Sequence, residues 1–139
     1  MGAWGIGYFE DDSALDFMAD IEDSDNPKQT IRDAISDAID ADYLESDQGT
    51  AAIIAAIYVD KQVNGTKYSS SDNDEPLDVD TFPERHPEQN FSDLKSTAVQ
   101  ALTKVLEENS ELNELWAESE ENYSASRQGV EQIISRLTK

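Results

Sequence analysis

Carboxylates are by far the most numerous side chains in this 139-residue chain that could do chemistry. Thirty-one Asp and Glu residues stand against ten Lys and Arg, which gives a formal net charge of −21. There is no cysteine, so disulfides, thiolate zinc sites and a cysteine nucleophile are excluded. A charge of this size attracts cationic surfaces and repels phosphate. The composition therefore indicates a kind of partner more clearly than it indicates a reaction.

Enzymatic chemistry has few candidates. His86 is the only histidine, and a lone exposed histidine in a predicted loop is usually only a polar loop residue. Carboxylate pairs that act as acid and base need surroundings that separate their pKa values. Most acids here fall on predicted solvent faces, so we expect no enzyme and no cofactor. A metal-dependent hydrolase with a carboxylate cluster is the alternative.

Two segments resemble ligand-binding loops in composition alone. The glycine-broken segment 2–9 lacks the spacing of a phosphate loop, and acids follow it where phosphate needs positive charge. Residues 72–80 are rich in aspartate, as a calcium loop is. However, Leu77 stands where an EF-hand needs glycine, and Pro83 stands where it needs a bidentate glutamate. We expect a solvated acidic loop here, with a weak cation site as the alternative.

The acids are concentrated in blocks. No Lys or Arg precedes Pro27, a second block lies within 72–80, and a third lies within 107–121. In the third block, steps of four and three would line one helical face if the chain only bends at Asn109-Ser110. This acidic stripe is Glu107, Glu111, Glu114, Glu118 and Glu121. Like charges at this spacing repel by a few tenths of a kcal/mol, which suggests that the stripe has a use.

These features predict an acidic protein that binds and occludes a basic partner. The most specific version is an immunity protein that inhibits a nucleic-acid-cleaving toxin, because such toxins have cationic clefts. Aromatic side chains would supply much of the affinity. The predicted partner-binding residues are Asp72, Asp74, Glu75, Asp78, Asp80, Glu111, Glu114, Glu118, Tyr68 and Phe82.

Other interpretations of the acidity stay open. One is mimicry of DNA, aimed at a DNA-binding protein. Another is a domain whose charge serves only solubility or adaptation to high salt, with no charge-driven partner. For the protein that binds a basic partner, as for these alternatives, we expect no direct binding of nucleic acid and no binding to a membrane.

The periodicity of apolar residues predicts six helices, no strand, and thus an all-α single domain over residues 1–139. The first two helices begin at Asp12 or Ser13 and at Asn26-Pro27, which are cap signals. Their apolar faces are Ala14, Phe17, Met18 and Ile21 in the first helix, and Ile31, Ala34, Ile35, Ala38 and Ile39 in the second. On the second helix, Asp33, Asp37 and Asp40 take the opposite, solvent face.

A third helix is predicted over residues 48–62, with Asp47 as its cap and Asn64-Gly65 as its end. Residues 51–59 are apolar all round, which places this helix at the centre. Its isoleucines leave a strand possible, but its four alanines favour a helix. Residues 64–91 form a long acidic loop or insertion, which Leu77, Val79 and Phe82 could pin to the body.

Three more helices follow. The fourth begins after Phe91-Ser92, and Asn109-Ser110 marks a break before a short fifth helix. The last helix covers about 124–137. Their predicted buried residues are Leu94, Ala98, Ala101, Leu102, Val105 and Leu106, then Leu112, Leu115 and Trp116, then Val130, Ile133, Ile134 and Leu137.

The opening Gly2-Ala3-Trp4-Gly5-Ile6-Gly7-Tyr8-Phe9, continued to Phe17, resembles the start of an uncharacterised bacterial domain-of-unknown-function family, family 4259. Tyr43-Leu44-Glu45 and the segment from Ser110 to Trp116 are similar to it as well, so the likeness spans nearly the whole chain. Relatives often carry a Glu inside the alanine-rich helix, where this chain has Ile57 or its neighbours. The resemblance implies a stand-alone, mostly helical domain and no particular reaction.

The expected location is the cytoplasm. The N-terminus carries acids where a signal peptide has a basic region. The longest apolar run, Ala51–Val59, is shorter than the about 20 residues that a membrane span needs.

Overall fold

The computed structural model describes residues 12–65, 82, 84–88, 90–107, 109–118 and 120–138. Over these residues the chain forms six α-helices and no β-strand, which confirms the all-α prediction. The helices are α1 (Asp12–Asp23), α2 (Pro27–Asp40), α3 (Ser46–Asn64), α4 (Lys95–Val105), α5 (Glu111–Trp116) and α6 (Glu120–Leu137). A 3-10 turn, Ser92–Leu94, leads directly into α4.

Helix α3 is the centre of the fold. Residues 52–60 are all buried, and α3 contacts each of the other five helices. A helix that is apolar all round buries every face, so the predicted central position is confirmed. Gly65 ends the helix with φ +74, and its backbone N–H donates to the Lys61 carbonyl. Glycine is favoured at this left-handed position.

The start of α3 differs from the prediction. The helix begins at Ser46, and Glu45 rather than Asp47 is its N-cap. The backbone N–H of Glu45 donates to the side-chain oxygen of Gln48 at 3.1 Å. This bond satisfies a donor at the helix end, which is the reason that the chain enters the helix two residues early.

Helix α2 has the predicted two faces. Asn26 caps it by accepting a hydrogen bond from the Gln29 backbone N–H, and Pro27 takes the first position. The buried face contains Ile31, Ile35 and Ala38, while Ala34 and Ile39 are half-buried. The outer face carries Asp33, Asp37 and Asp40, all exposed.

Phe82 lies inside the core. Its ring meets Tyr58 edge-on at 5.1 Å between centroids, and Phe91 lies 5.8 Å away. Phe82 therefore does pin this part of the chain to the body, as predicted. His86, expected to be an exposed loop residue, is half-buried because it stacks on Phe82 at 4.5 Å. Leu77 and Val79 lie outside the described residues.

The chain does not run on as one helix from α4 to α5. Leu44 pairs with this connection: its N–H donates to the Asn109 carbonyl at 2.7 Å, and its carbonyl accepts from the Glu111 N–H at 2.8 Å. Ser110, between them, is fully buried. The break predicted at Asn109-Ser110 is therefore confirmed, and the condition for a single acidic stripe is not met. Its members are divided among α5, α6 and the connections that flank α5.

Gly49 brings α5 against α3. A Cβ at Gly49 would lie 2.7 Å from Cδ1 of Leu112, so the missing side chain permits this close approach. The last helix, α6, begins at Glu120, four residues before the predicted start, and buries Val130, Ile133 and Leu137.

Candidate protein-binding surface

The ten predicted partner-binding residues fall into three groups. Six lie outside the described residues: Tyr68, Asp72, Asp74, Glu75, Asp78 and Asp80. Phe82 is 1% exposed, so the prediction that its ring anchors a partner is wrong. The remaining three, Glu111, Glu114 and Glu118, lie on α5 or just after its end. The first is half-buried, and the other two are exposed.

Tyr43 joins these acids on the surface. The pairing of Leu44 with the connection before α5 places the preceding residue beside that helix, and the Tyr43 hydroxyl donates to Glu114 Oε2. Tyr43 is 46% exposed, and among the described residues it is the one large hydrophobic side chain that is exposed. We call Tyr43, Glu45, Glu111 and Glu114 the Tyr43 patch.

The acids of the Tyr43 patch raise the pKa of the Tyr43 hydroxyl. The hydrogen bond to Glu114 is the main cause that raises the pKa of Tyr43 to about 12, with smaller contributions from desolvation and from the charges of Glu114, Glu111 and Glu45. The phenol therefore stays neutral and keeps donating at physiological pH. An aromatic face bordered by anions is a favourable site for a cation such as arginine or lysine.

A second acidic region covers α1, α2 and the start of α3. Between residues 12 and 47, Asp and Glu outnumber Lys and Arg by twelve to two. Both cations bind Asp93: Lys28 Nζ lies 2.9 Å from its carboxylate and Arg32 lies 3.5 Å away. The hydrogen bond from Lys28 is the main reason that the pKa of Asp93 is lowered.

An open groove of about 370 Å³ runs between α1, α2 and the first turns of α3. Phe17, Ala34 and Ala51 supply its apolar lining, and its carboxylates are Asp33, Asp37 and Asp47. Thr30 and Gln48 complete it. None of these three carboxylates forms a salt bridge within the described residues. We call this feature the α2 groove.

Several of the described cations join elements of the fold together. Lys104 donates to the Ile39 carbonyl near the end of α2, at 2.8 Å. Arg127 donates to the Leu106 carbonyl at 3.0 Å and to Asn113 at 3.2 Å, which ties α6 to the connection before α5 and to α5 itself. These two positive charges therefore hold elements of the fold together.

Asp60 is a fully buried carboxylate that was not predicted from the sequence. Its two oxygens accept hydrogen bonds from Arg136 Nε at 2.8 Å and from Asn64 Nδ2 at 2.7 Å. The available signal was an acid directly after the apolar run of a helix predicted to be buried on all sides. Because protein groups already bind both oxygens, Asp60 is a structural carboxylate.

Glu22 is a second carboxylate held by internal partners. It accepts a hydrogen bond from the Tyr58 hydroxyl at 2.7 Å and forms a salt bridge with Arg85 at 2.5 Å. This arrangement connects α1 to α3 and to the segment after Phe82. No group of three or more His, Asp or Glu side chains within the described ranges is arranged to hold a metal ion.

These observations define the class of protein as an all-helical domain with an acidic exterior. Residues 2–128 match the model of a domain of unknown function, DUF4259, and the chain belongs to this family. The resemblance noted in the sequence is thus confirmed. No curated protein and no solved structure matches the chain. None of the helices that the structure describes has the length and apolar character to cross a membrane.

Proposed function

We propose that this protein binds and occludes a cationic protein surface. In its most specific form it is an immunity protein that inhibits a nucleic-acid-cleaving toxin in the cytoplasm of the cell that makes both. The observation that carries the proposal is the Tyr43 patch, in which an exposed tyrosine is hydrogen-bonded to Glu114 and is influenced by the charges of Glu111 and Glu45. Occlusion of this kind requires a surface and no catalytic group.

The Tyr43 patch combines two properties of binding surfaces. Tyrosine is enriched among the residues that carry most of the binding energy in protein interfaces. The hydrogen bond to Glu114 fixes the ring before a partner arrives, which reduces the entropy lost on binding. Its negative border suits arginine, which can stack on an aromatic face and form paired hydrogen bonds with a carboxylate.

The remaining acids support a role in the encounter. Asp33, Asp37 and Asp40 on the outer face of α2 form no salt bridge within the described residues, so their field extends into solvent. Opposite charges on two proteins steer their encounter and raise association rates toward about 10⁸–10⁹ M⁻¹s⁻¹ at low salt. A nuclease offers a matching target, because its cleft must attract phosphate.

The test is capture of partners on the immobilised protein at low salt, followed by elution at raised salt. We expect a basic protein that is released by salt and whose nuclease activity the protein inhibits. A second test concerns acids outside the described residues. We predict that charge reversal of Asp74, Glu75 and Asp78 to lysine slows association with the partner. Capture of no basic protein at low salt would refute the proposed function.

A further inference from the structure

We infer that the α2 groove receives a lysine side chain of the basic partner, at a site distinct from the Tyr43 patch. This inference rests on the proposed function for the nature of the partner. The groove itself is defined by three helices and by the residues that line it.

The lining residues of α2 follow one face of the helix. Counted from Thr30, the residues Asp33, Ala34 and Asp37 follow at three, four and seven positions, a spacing that places side chains on one face of a helix. The two carboxylates are one turn apart. Asp47, from the start of α3, is the third carboxylate that lines the groove.

The carboxylates are available to a cation. Asp33 accepts one hydrogen bond from Gln29 Nε2 at 2.7 Å, and Asp47 accepts one from the Gln48 backbone N–H at 3.0 Å. A carboxylate has about four acceptor positions, so each retains several for a ligand. Asp33 and Asp37 repel one another at their spacing of four residues, and a bound cation would relieve that repulsion.

The apolar lining selects the kind of cation. Phe17, Ala34 and Ala51 are half-buried, so they present a hydrophobic surface that an inorganic ion would leave exposed. Lysine places its alkyl chain along apolar surface and keeps its charged head in water. The three carboxylates are exposed, which suits the strongly hydrated ammonium group of lysine.

The volume of the groove agrees with such an occupant. About 370 Å³ is near the lower end of the roughly 300–1,000 Å³ range of small-ligand pockets. Because the groove is open along α2, it suits a side chain projecting from another protein better than an enclosed small molecule. Charge complementarity and shape therefore point to the same occupant.

The test is an NMR titration of the whole protein with a blocked tripeptide, acetyl-Gly-Lys-Gly-amide. We expect saturable shifts of the Ala34 and Ala51 methyl signals. The same peptide with norleucine in place of lysine keeps the alkyl chain and lacks the charge, so we expect it to leave these signals unchanged. Equal shifts with both peptides, or none with the lysine peptide, would overturn the inference.

A matched pair of variants distinguishes binding in the groove from general attraction to the acidic surface. Asp37→Asn removes a charge that lines the groove, while Asp40→Asn removes the same charge from the same helix outside the lining. We expect D37N to weaken binding of the lysine peptide about threefold. We expect D40N to change the affinity by less than about 1.5-fold. Equal weakening by both variants would overturn the groove as a site.

The same experiment distinguishes the two proposals. The peptide titration needs no natural partner, so the groove can fail while a basic protein is still captured at low salt. If the lysine peptide binds in the groove and no basic protein is captured, the proposed function fails and the lysine site stands.

Discussion

Asp60 in α3 and Asp37 on the outer face of α2 are the same side chain in opposite surroundings. Asp60 is fully buried and is bound by Arg136 and Asn64. Asp37 is exposed, and no cation of the described residues forms a salt bridge with it. Of these two aspartates, the buried one is paired with a cation, while the charge of the exposed one is not neutralised by any described cation.

Elementary electrostatics explains the difference. A buried charge without a partner destabilises the fold by several kcal/mol, so Asp60 requires Arg136. An exposed carboxylate is stabilised by water and needs no partner. Substitutions at the interior carboxylates should therefore lower stability, whereas substitutions on the exterior should change binding and leave stability nearly constant.

The largest expected effect is at the interior pair. Arg136→Ala should lower the free energy of unfolding by about 3 kcal/mol, because it leaves the buried Asp60 carboxylate without its cation. Urea denaturation measures the change. As a matched control, D40N should stay within about 0.5 kcal/mol of the wild type, since it changes an exposed charge. A loss below about 1 kcal/mol for the arginine variant would contradict the structural role of the pair.

A smaller loss of stability is expected at Tyr58. Tyr58→Phe removes the hydroxyl that donates to Glu22 and preserves the ring against Phe82. We expect the free energy of unfolding to fall by about 1.5–2 kcal/mol, the lower part of the roughly 1.5–3 kcal/mol range for a hydrogen bond to a charged group. Chemical denaturation tests this, and unchanged stability would show that Arg85 alone satisfies the carboxylate.

On the exterior, Tyr43→Ala should affect binding alone. We expect it to weaken the affinity for the captured partner by about tenfold or more, as truncation of a central tyrosine in an interface does. Isothermal titration calorimetry measures the affinity, and the thermal unfolding midpoint serves as the control for folding. An affinity equal to that of the wild type would remove the Tyr43 patch from the interface.

The smallest effect concerns the titration of Tyr43. Glu114→Gln should lower the Tyr43 pKa from about 12 toward its ordinary value of about 10, because it replaces the negatively charged acceptor of the phenol with a neutral amide. The raised pKa stabilises the fold below pH 10, and this contribution is lost as the pH rises through about 12. Ultraviolet difference spectra against Tyr43→Phe isolate this residue among the five tyrosines.

Local patterns predicted much of the fold. The two faces of α2 followed from the spacing of its isoleucines, alanines and aspartates, and the Asn26-Pro27 start followed from the chemistry of helix caps. The central position of α3 followed from a run too apolar to face water. Each of these features depends on residues that are close together in the sequence.

Contacts between distant residues could not be predicted in the same way. The break before α5 depends on hydrogen bonds with Leu44, and Asp60 binds Arg136 across 76 positions. Tyr43 could have been core or contact, because its exposure depends on where α5 packs. Phe82 was predicted both to pin the long loop to the body and to anchor a partner, because the sequence does not show where its ring packs. Its packing against Tyr58 shows that the first prediction is right.

The most direct test of the exterior charge is the association rate of the captured partner at rising salt. The wild type should associate faster than the variant D33N/D37N/D40N at low salt, by about tenfold. The two rates should converge as salt approaches about 1 M, where charges are screened within about 3 Å. Rates that are equal at low salt, or a difference that salt does not diminish, would contradict the claim that exterior carboxylates attract the partner.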